Sequence, residues 1–146
     1  NQTGSTKSIM QNGIIHIFSG TQPATADAAE TGTLLMQLTV DGGVFVPGVA
    51  TNGLNMGTSV DGVLSKASGE TWKGTGLAAA GASPGTAAGW FRWYDNAVVT
   101  GISTEAVRVD GAIGTSSSYE MQMSNVMVVT DGPSTVNSFT FTSLKQ

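Results

Sequence analysis

Trp90-Phe91-Arg92-Trp93-Tyr94, closed by Asp95-Asn96, is the stretch on which the fold of this chain turns. The sequence holds ten aromatic residues, and four of them stand in this run of five. Successive side chains of a strand point to opposite faces. Trp90, Arg92 and Tyr94 therefore share one face, and Phe91, Trp93 and Asp95 the other. Phe91 and Trp93 read as core. On the opposite face Arg92 can stack on an aromatic ring, and Trp, Tyr and Arg are the residue types enriched in interface hot spots. The expectation is a central strand with a candidate interaction surface at Trp90, Arg92 and Tyr94, facing a protein partner. A carbohydrate platform is the second reading of that stripe.

Working outward, the chain alternates short apolar runs with turn punctuation. Asp-Gly occurs at Asp41-Gly42, Asp61-Gly62, Asp110-Gly111 and Asp131-Gly132, and Asn-Gly at Asn12-Gly13 and Asn52-Gly53. Such pairs accept the positive φ angles of tight hairpins. Strands are predicted near Gly13–Ser19, Leu34–Val40, Val44–Val46, Gly53–Thr58, Gly62–Lys66, Thr71–Gly76, Gly89–Tyr94, Ala106–Val109, Tyr119–Val129 and Ser134–Thr142. Alternation places Phe139 with Phe141, Met121 with Met123, and Val107 with Val109 opposite Arg108. Many short strands point to an all-β fold, expected as a single-domain antiparallel β-sandwich of jelly-roll or Ig-like form. Helix signals are weak: Ala24–Glu30 offers one or two turns, and Leu77–Ala88 reads as a long loop. Residues 1–8 are polar and read as an N-terminal arm, leaving 9–146 as the domain.

Composition narrows the function classes. The 146 residues suit one domain with a sizeable core. Only 11% are charged, against about 25% in an average domain, so small polar residues dominate the surface. The net charge is −4. The six basic residues, Lys7, Lys66, Lys73, Arg92, Arg108 and Lys145, are scattered, which disfavours nucleic acid as a partner. No apolar run approaches the roughly 20 residues of a membrane span, and Asn1–Met10 carries no signal-peptide pattern. With no cysteine there is no disulfide, no zinc-thiolate site and no thiol nucleophile.

The remaining chemistry is sparse. His16 is the only histidine, on the face of Ile14 and Phe18, and it reads as a half-buried structural residue. Four carboxylates open Asp-Gly pairs, where local hydrogen bonding is their role. Glu70 and Asp95 lie beside Trp72 and Trp93, the neighbourhood a glycosidase uses, but nothing in their spacing brings them across one cleft. Gly74-Thr75-Gly76 lacks the third glycine of a dinucleotide fingerprint. No enzyme activity, no cofactor and no metal are expected.

Two stretches resemble small all-β virion proteins of tailed bacteriophages. One is Ile17-Phe18-Ser19-Gly20-Thr21-Gln22-Pro23-Ala24-Thr25-Ala26-Asp27-Ala28-Ala29, continuing through Gly32-Thr33-Leu34-Leu35. The other runs from Gly62-Val63-Leu64-Ser65-Lys66-Ala67-Ser68-Gly69-Glu70-Thr71-Trp72 to Gly89-Trp90-Phe91-Arg92-Trp93-Tyr94-Asp95. The likeness spans most of the chain beyond residue 8 and brings no family site residues with it. It implies a place in the virion after assembly in the host bacterial cytoplasm, as a head decoration (cement) protein or a tail-associated component, and a capsid decoration protein is the first expectation. The implied partners are the major capsid protein or other virion proteins, and sister subunits of a homo-oligomer. Residues 1–8 and Leu77–Ala88 would be the linking elements. The alternative is a tail or fibre-associated module that binds host surface carbohydrate.

Overall fold

A computed structural model of the chain describes residues 5–142. Ten strands are present among the described residues: β1 (Ile14–Phe18), β2 (Leu34–Val40), β3 (Val63–Ser65), β4 (Trp72–Thr75), β5 (Thr86–Ala87), β6 (Trp90–Tyr94), β7 (Arg108–Gly114), β8 (Met121–Met123), β9 (Met127–Val128) and β10 (Pro133–Thr142). The main sheet runs β3-β10-β4-β2-β1-β6-β7-β8, and β10 also pairs with β8. That last pairing closes β10, β4, β2, β1, β6, β7 and β8 into a barrel. The all-β expectation holds. The expected two-layer sandwich gives way to a sheet that closes on itself. The physical reason is β10, whose ten residues are long enough to serve three partners in succession. Pro133–Thr135 pairs with β4, Val136–Phe139 with β8, and Thr140–Thr142 with β3. Closure leaves fewer unpaired strand edges. One pair departs from the antiparallel expectation, because β7 and β8 run parallel over Ile113↔Met121 and Gly114↔Gln122.

The barrel interior follows from alternation. Leu38, Ile15, Trp93 and Val109 lie in register across β2, β1, β6 and β7, and Met36, Ile17 and Phe91 form the next row. Phe139 packs between Trp72, Phe91 and Trp93, with ring centroids 5.2–5.7 Å away. Trp72 meets Trp93 edge-on at 5.0 Å. Met121 and Met123 point inward, as their spacing predicted, and both are buried.

Turn chemistry explains five of the six Asx-Gly pairs. Asn12, Asp41, Asn52, Asp61 and Asp131 all adopt positive φ, a region these side chains tolerate. The sixth pair is a correction. Asp110-Gly111 lies inside β7, where Gly111 leaves room for the Phe91 ring: a Cβ there would stand 2.5 Å from Phe91 Cζ.

Other expectations change in detail. Val44–Val46 is loop, and Gly53–Thr58 makes only isolated bridges at Leu54 and Met56. Tyr119–Val129 divides into β8 and β9. Ala24–Glu30 forms turns rather than a helix. The Leu77–Ala88 loop holds a 3-10 turn at Ala78–Ala80 and the short strand β5. Of the expected arm, residues 1–4 lie outside the described residues, while Thr6–Ile9 forms a short helix, α1, capped by the Ser5 side chain accepting from Ser8 N–H. Met10, directly after it, is buried and fixes this end of the chain to the core.

Candidate functional site

The expected interaction surface is the outer face of β6. Register decides what meets there. Gln37, His16, Arg92 and Asp110 are cross-strand neighbours in one row across β2, β1, β6 and β7. The Arg92 guanidinium grips the Asp110 carboxylate with two parallel bonds, Nε–H to Oδ1 at 2.6 Å and an Nη2–H to Oδ2 at 2.8 Å. Its Nη1 donates to the Ala28 carbonyl at 2.9 Å and to Glu30 Oε1 at 3.2 Å. The guanidinium also lies over the Trp90 ring, 5.4 Å from its centroid, and Trp90 stacks on Phe18 at 4.5 Å. Asp110 holds the charge of Arg92 in place: burial works against the cation, and the Asp110 carboxylate outweighs it and raises the guanidinium above its ordinary value.

Glu30 is the second centre of this network. Its Oε1 accepts from the Tyr94 hydroxyl at 2.5 Å, and its Oε2 from Gly101 N–H at 2.9 Å. Burial alone would raise the Glu30 carboxyl. Hydrogen bonds from Tyr94 and the backbone, with the charge of Arg92, outweigh burial and hold it below its usual value. Tyr94 is pushed up, by burial first and then by Glu30. Arg108 donates to the carbonyls of Val99, Asp27 and Ser103. Together these bonds tie two surface segments, around Asp27–Glu30 and Val99–Ser103, across the outside of the barrel.

The consequence is a correction. Trp90, Arg92 and Tyr94 do share a face, and Arg92 does stack on an aromatic ring, but all three are 0% exposed. The expected contact stripe is an internal clamp. The feature that sequence reading missed is the covering by residues 27–30 and 99–103, because no local pattern announces which strand a loop will fold over. Glu30 and Arg108 are network residues it left unassigned, and Asp110, expected to hydrogen-bond locally in a turn, instead holds Arg92 across the sheet. The only local clue was alternation through Arg108-Val109-Asp110, which places both polar residues on the same face.

The other flagged residues also have structural employment. Glu70 accepts from the Trp72 indole, the Asn55 N–H and the Asn55 side-chain amide at 2.9–3.0 Å. Asp95 accepts from Ala97 N–H two residues on, a local turn bond. The two do not share a hydrogen-bond network among the described residues. His16 is 7% exposed. Its Nε2 lies 3.2 Å from the Gln37 amide nitrogen, and its ring meets Tyr94 edge-on at 4.8 Å. Burial pushes its pKa down to about 4, against the opposing pull of Glu30. His16 is therefore neutral at pH 7.

Beside His16 opens a groove of about 460 Å³. Its walls include His16, Gln37, Val44, Phe45, Leu77 and Val98. Val44 is 79% exposed, and Val46, Val49 and Val99 are exposed beside the groove residues in the chain. Hydrogen bonds to its backbone hold the apolar segment: the Asn52 side-chain amide donates to the Val44 carbonyl, the Asn96 side-chain amide to the Val49 carbonyl, and Gly48 N–H to the Asn96 carbonyl. Val98 adopts φ 55, a left-handed conformation that is a true outlier for a β-branched residue. Comparison with protein-family models, with curated proteins and with solved structures finds no match to this chain.

Proposed function

We propose that this protein is a structural component of a tailed-bacteriophage virion, a decoration protein that sits on the capsid and reinforces the shell through subunit contacts. The observation that carries the reading is the solvent-facing apolar segment Val44–Val49 beside the His16 groove. A full burial of one such valine contributes about 1.5–3 kcal/mol. A row of them, held in place by the Asn52 and Asn96 side chains, suits a contact made once and kept. The sparse chemistry supports the same reading, since His16, Glu70, Asp95, Arg92 and Glu30 are each engaged in holding the fold. Burial of Arg92 and Arg108 also removes two of the six basic side chains from the surface, which argues against a phosphate backbone as partner. The proposed partners are the major capsid protein and sister copies of this chain.

The test is occupancy on purified particles. Val44→Asp combined with Val46→Asp is expected to lower occupancy about tenfold or more while leaving the melting temperature within about 2 °C, because exposed positions carry little fold stability. Imaging of intact particles with the unaltered protein locates it. Density on the shell at capsid copy number supports the reading. Density on the tail favours the rival, a tail or fibre-associated module, and absence from the particle overturns both.

A further inference from the structure

On the opposite edge of β7 from the strand β6 lies a second cleft, of about 290 Å³, lined by Asp110, Ser117, Ser118, Tyr119, Glu120, Thr140 and Phe141. Of the two tyrosines, Tyr94 is buried and Tyr119 is 43% exposed. Tyr119 is not loose. Its ring lies against the Gly114 backbone, in the space a side chain would fill: a Cβ at Gly114 would stand 2.1 Å from Tyr119 Cδ2. Glu120 is also oriented, because its Oε2 accepts from Ala112 N–H at 3.1 Å. Its Oε1 has no partner among the described residues. Thr140 N–H donates to the Glu120 carbonyl, which ties β10 to this wall.

We propose that this cleft binds one ring of a neutral saccharide. A sugar presents an apolar C–H face and a rim of hydroxyls that both donate and accept. The Tyr119 ring offers a rigid amphipathic surface for the first. The second oxygen of Glu120 accepts from a sugar hydroxyl, and the Ser117 and Thr140 hydroxyls both give and receive, while Ser118 already shares a 2.7 Å bond with the Ser116 hydroxyl. A cation would use the aromatic ring and the carboxylate but make no use of the hydroxyl hydrogens that Ser117 and Thr140 bring to the cleft. It would also gain little from Asp110, whose charge is already matched by Arg92. The inference does not depend on where in a particle the protein sits.

The experiment titrates the isotope-labelled full chain with the methyl glycosides of glucose, galactose and N-acetylglucosamine, and separately with choline, following amide shifts. One pyranoside is expected to move the amides of Ala112, Tyr119, Glu120 and Thr140 with a dissociation constant of about 1–10 mM, as a single small ring in a shallow site would. Tyr119→Ala is expected to weaken it about tenfold and Glu120→Gln about fivefold, with unchanged shifts elsewhere. Gly114→Ala, which evicts the ring without altering it, should weaken binding as Tyr119→Ala does. Absence of binding by all three glycosides, choline shifting these amides in their place, or binding that survives Tyr119→Ala overturns the proposal.

Discussion

Two rows of side chains cross the same four strands of this barrel, one on each side, and they are built from opposite materials. The inner row is Leu38, Ile15, Trp93 and Val109; the outer row is Gln37, His16, Arg92 and Asp110. Both are buried at their centres, at Ile15 and Trp93 in one and at His16 and Arg92 in the other. The inner row is stabilised by area removed from water and by close packing, which tolerate changes that keep shape and volume. The outer row is stabilised by directed bonds, each partner being costly to bury alone. Burial by itself therefore says little about how a face responds to mutation. The kind of partner decides.

The largest expected effect breaks the outer row. Arg92→Ala strands Asp110 and Glu30 without their cation and is expected to cost about 3–5 kcal/mol. Arg92→Lys keeps the charge but loses the paired bonds to Asp110, at about 2 kcal/mol. Ile15→Val, its neighbour on the inner row, is expected to cost only about 0.5–1.5 kcal/mol. Urea unfolding midpoints at constant slope check all three. An Arg92→Lys variant no less stable than Ile15→Val would erase the distinction between the faces.

Acid sharpens it. His16 stays neutral in the folded protein down to about pH 4, whereas in the unfolded chain it takes a proton near 6.5. The unfolded state thus binds more protons between those values, so stability falls as pH drops through that window. The loss is on the order of 2–3 kcal/mol at its lower end. Glu30, held below its usual value, contributes stability that is present above about 4.5 and lost below it. Around His16 stand Gln37, Tyr94 and the charge of Glu30, and Arg92 follows it in the row. Stability measured against pH for His16→Gln should lose the upper part of the slope and keep the lower part. An unchanged slope between pH 6.5 and 4.5 would mean that His16 is not the group responsible.

The smallest expected effect lies beside the groove. Val98→Asn places a residue that tolerates positive φ where a β-branched one is strained, and is expected to stabilise the protein by about 1 kcal/mol, raising the melting temperature by roughly 2–4 °C. A fall would show that Val98 packing outweighs its backbone strain. If particle occupancy drops in the same variant, the strained valine belongs to the contact surface.

Much of the fold was legible because it is local. Leu34–Val40 and Trp90–Tyr94 were readable from alternation and aromatic content, and five Asx-Gly pairs from their tolerance of positive φ. Asp110-Gly111 misled because the same dipeptide serves two needs, a turn or a close approach, and only the Phe91 ring across the strand tells them apart. Val44–Val46 misled because strand chemistry without a paired edge is only an exposed apolar loop.

The sequence by itself determined an all-β chain, Phe91 and Trp93 as core, the shared faces of Met121 with Met123 and of Phe139 with Phe141, and the company that Trp90, Arg92 and Tyr94 keep on one face. Those follow from the period of two that every strand obeys. Tertiary structure decided that the sheet closes through β10, that Arg92 meets Asp110, and that Glu30, sixty-two residues away in the chain, covers the face that looked free. Pairing partners and loop coverage are long-range choices. They are set by the total burial and hydrogen bonding of the finished barrel, and no window of neighbouring residues carries that sum.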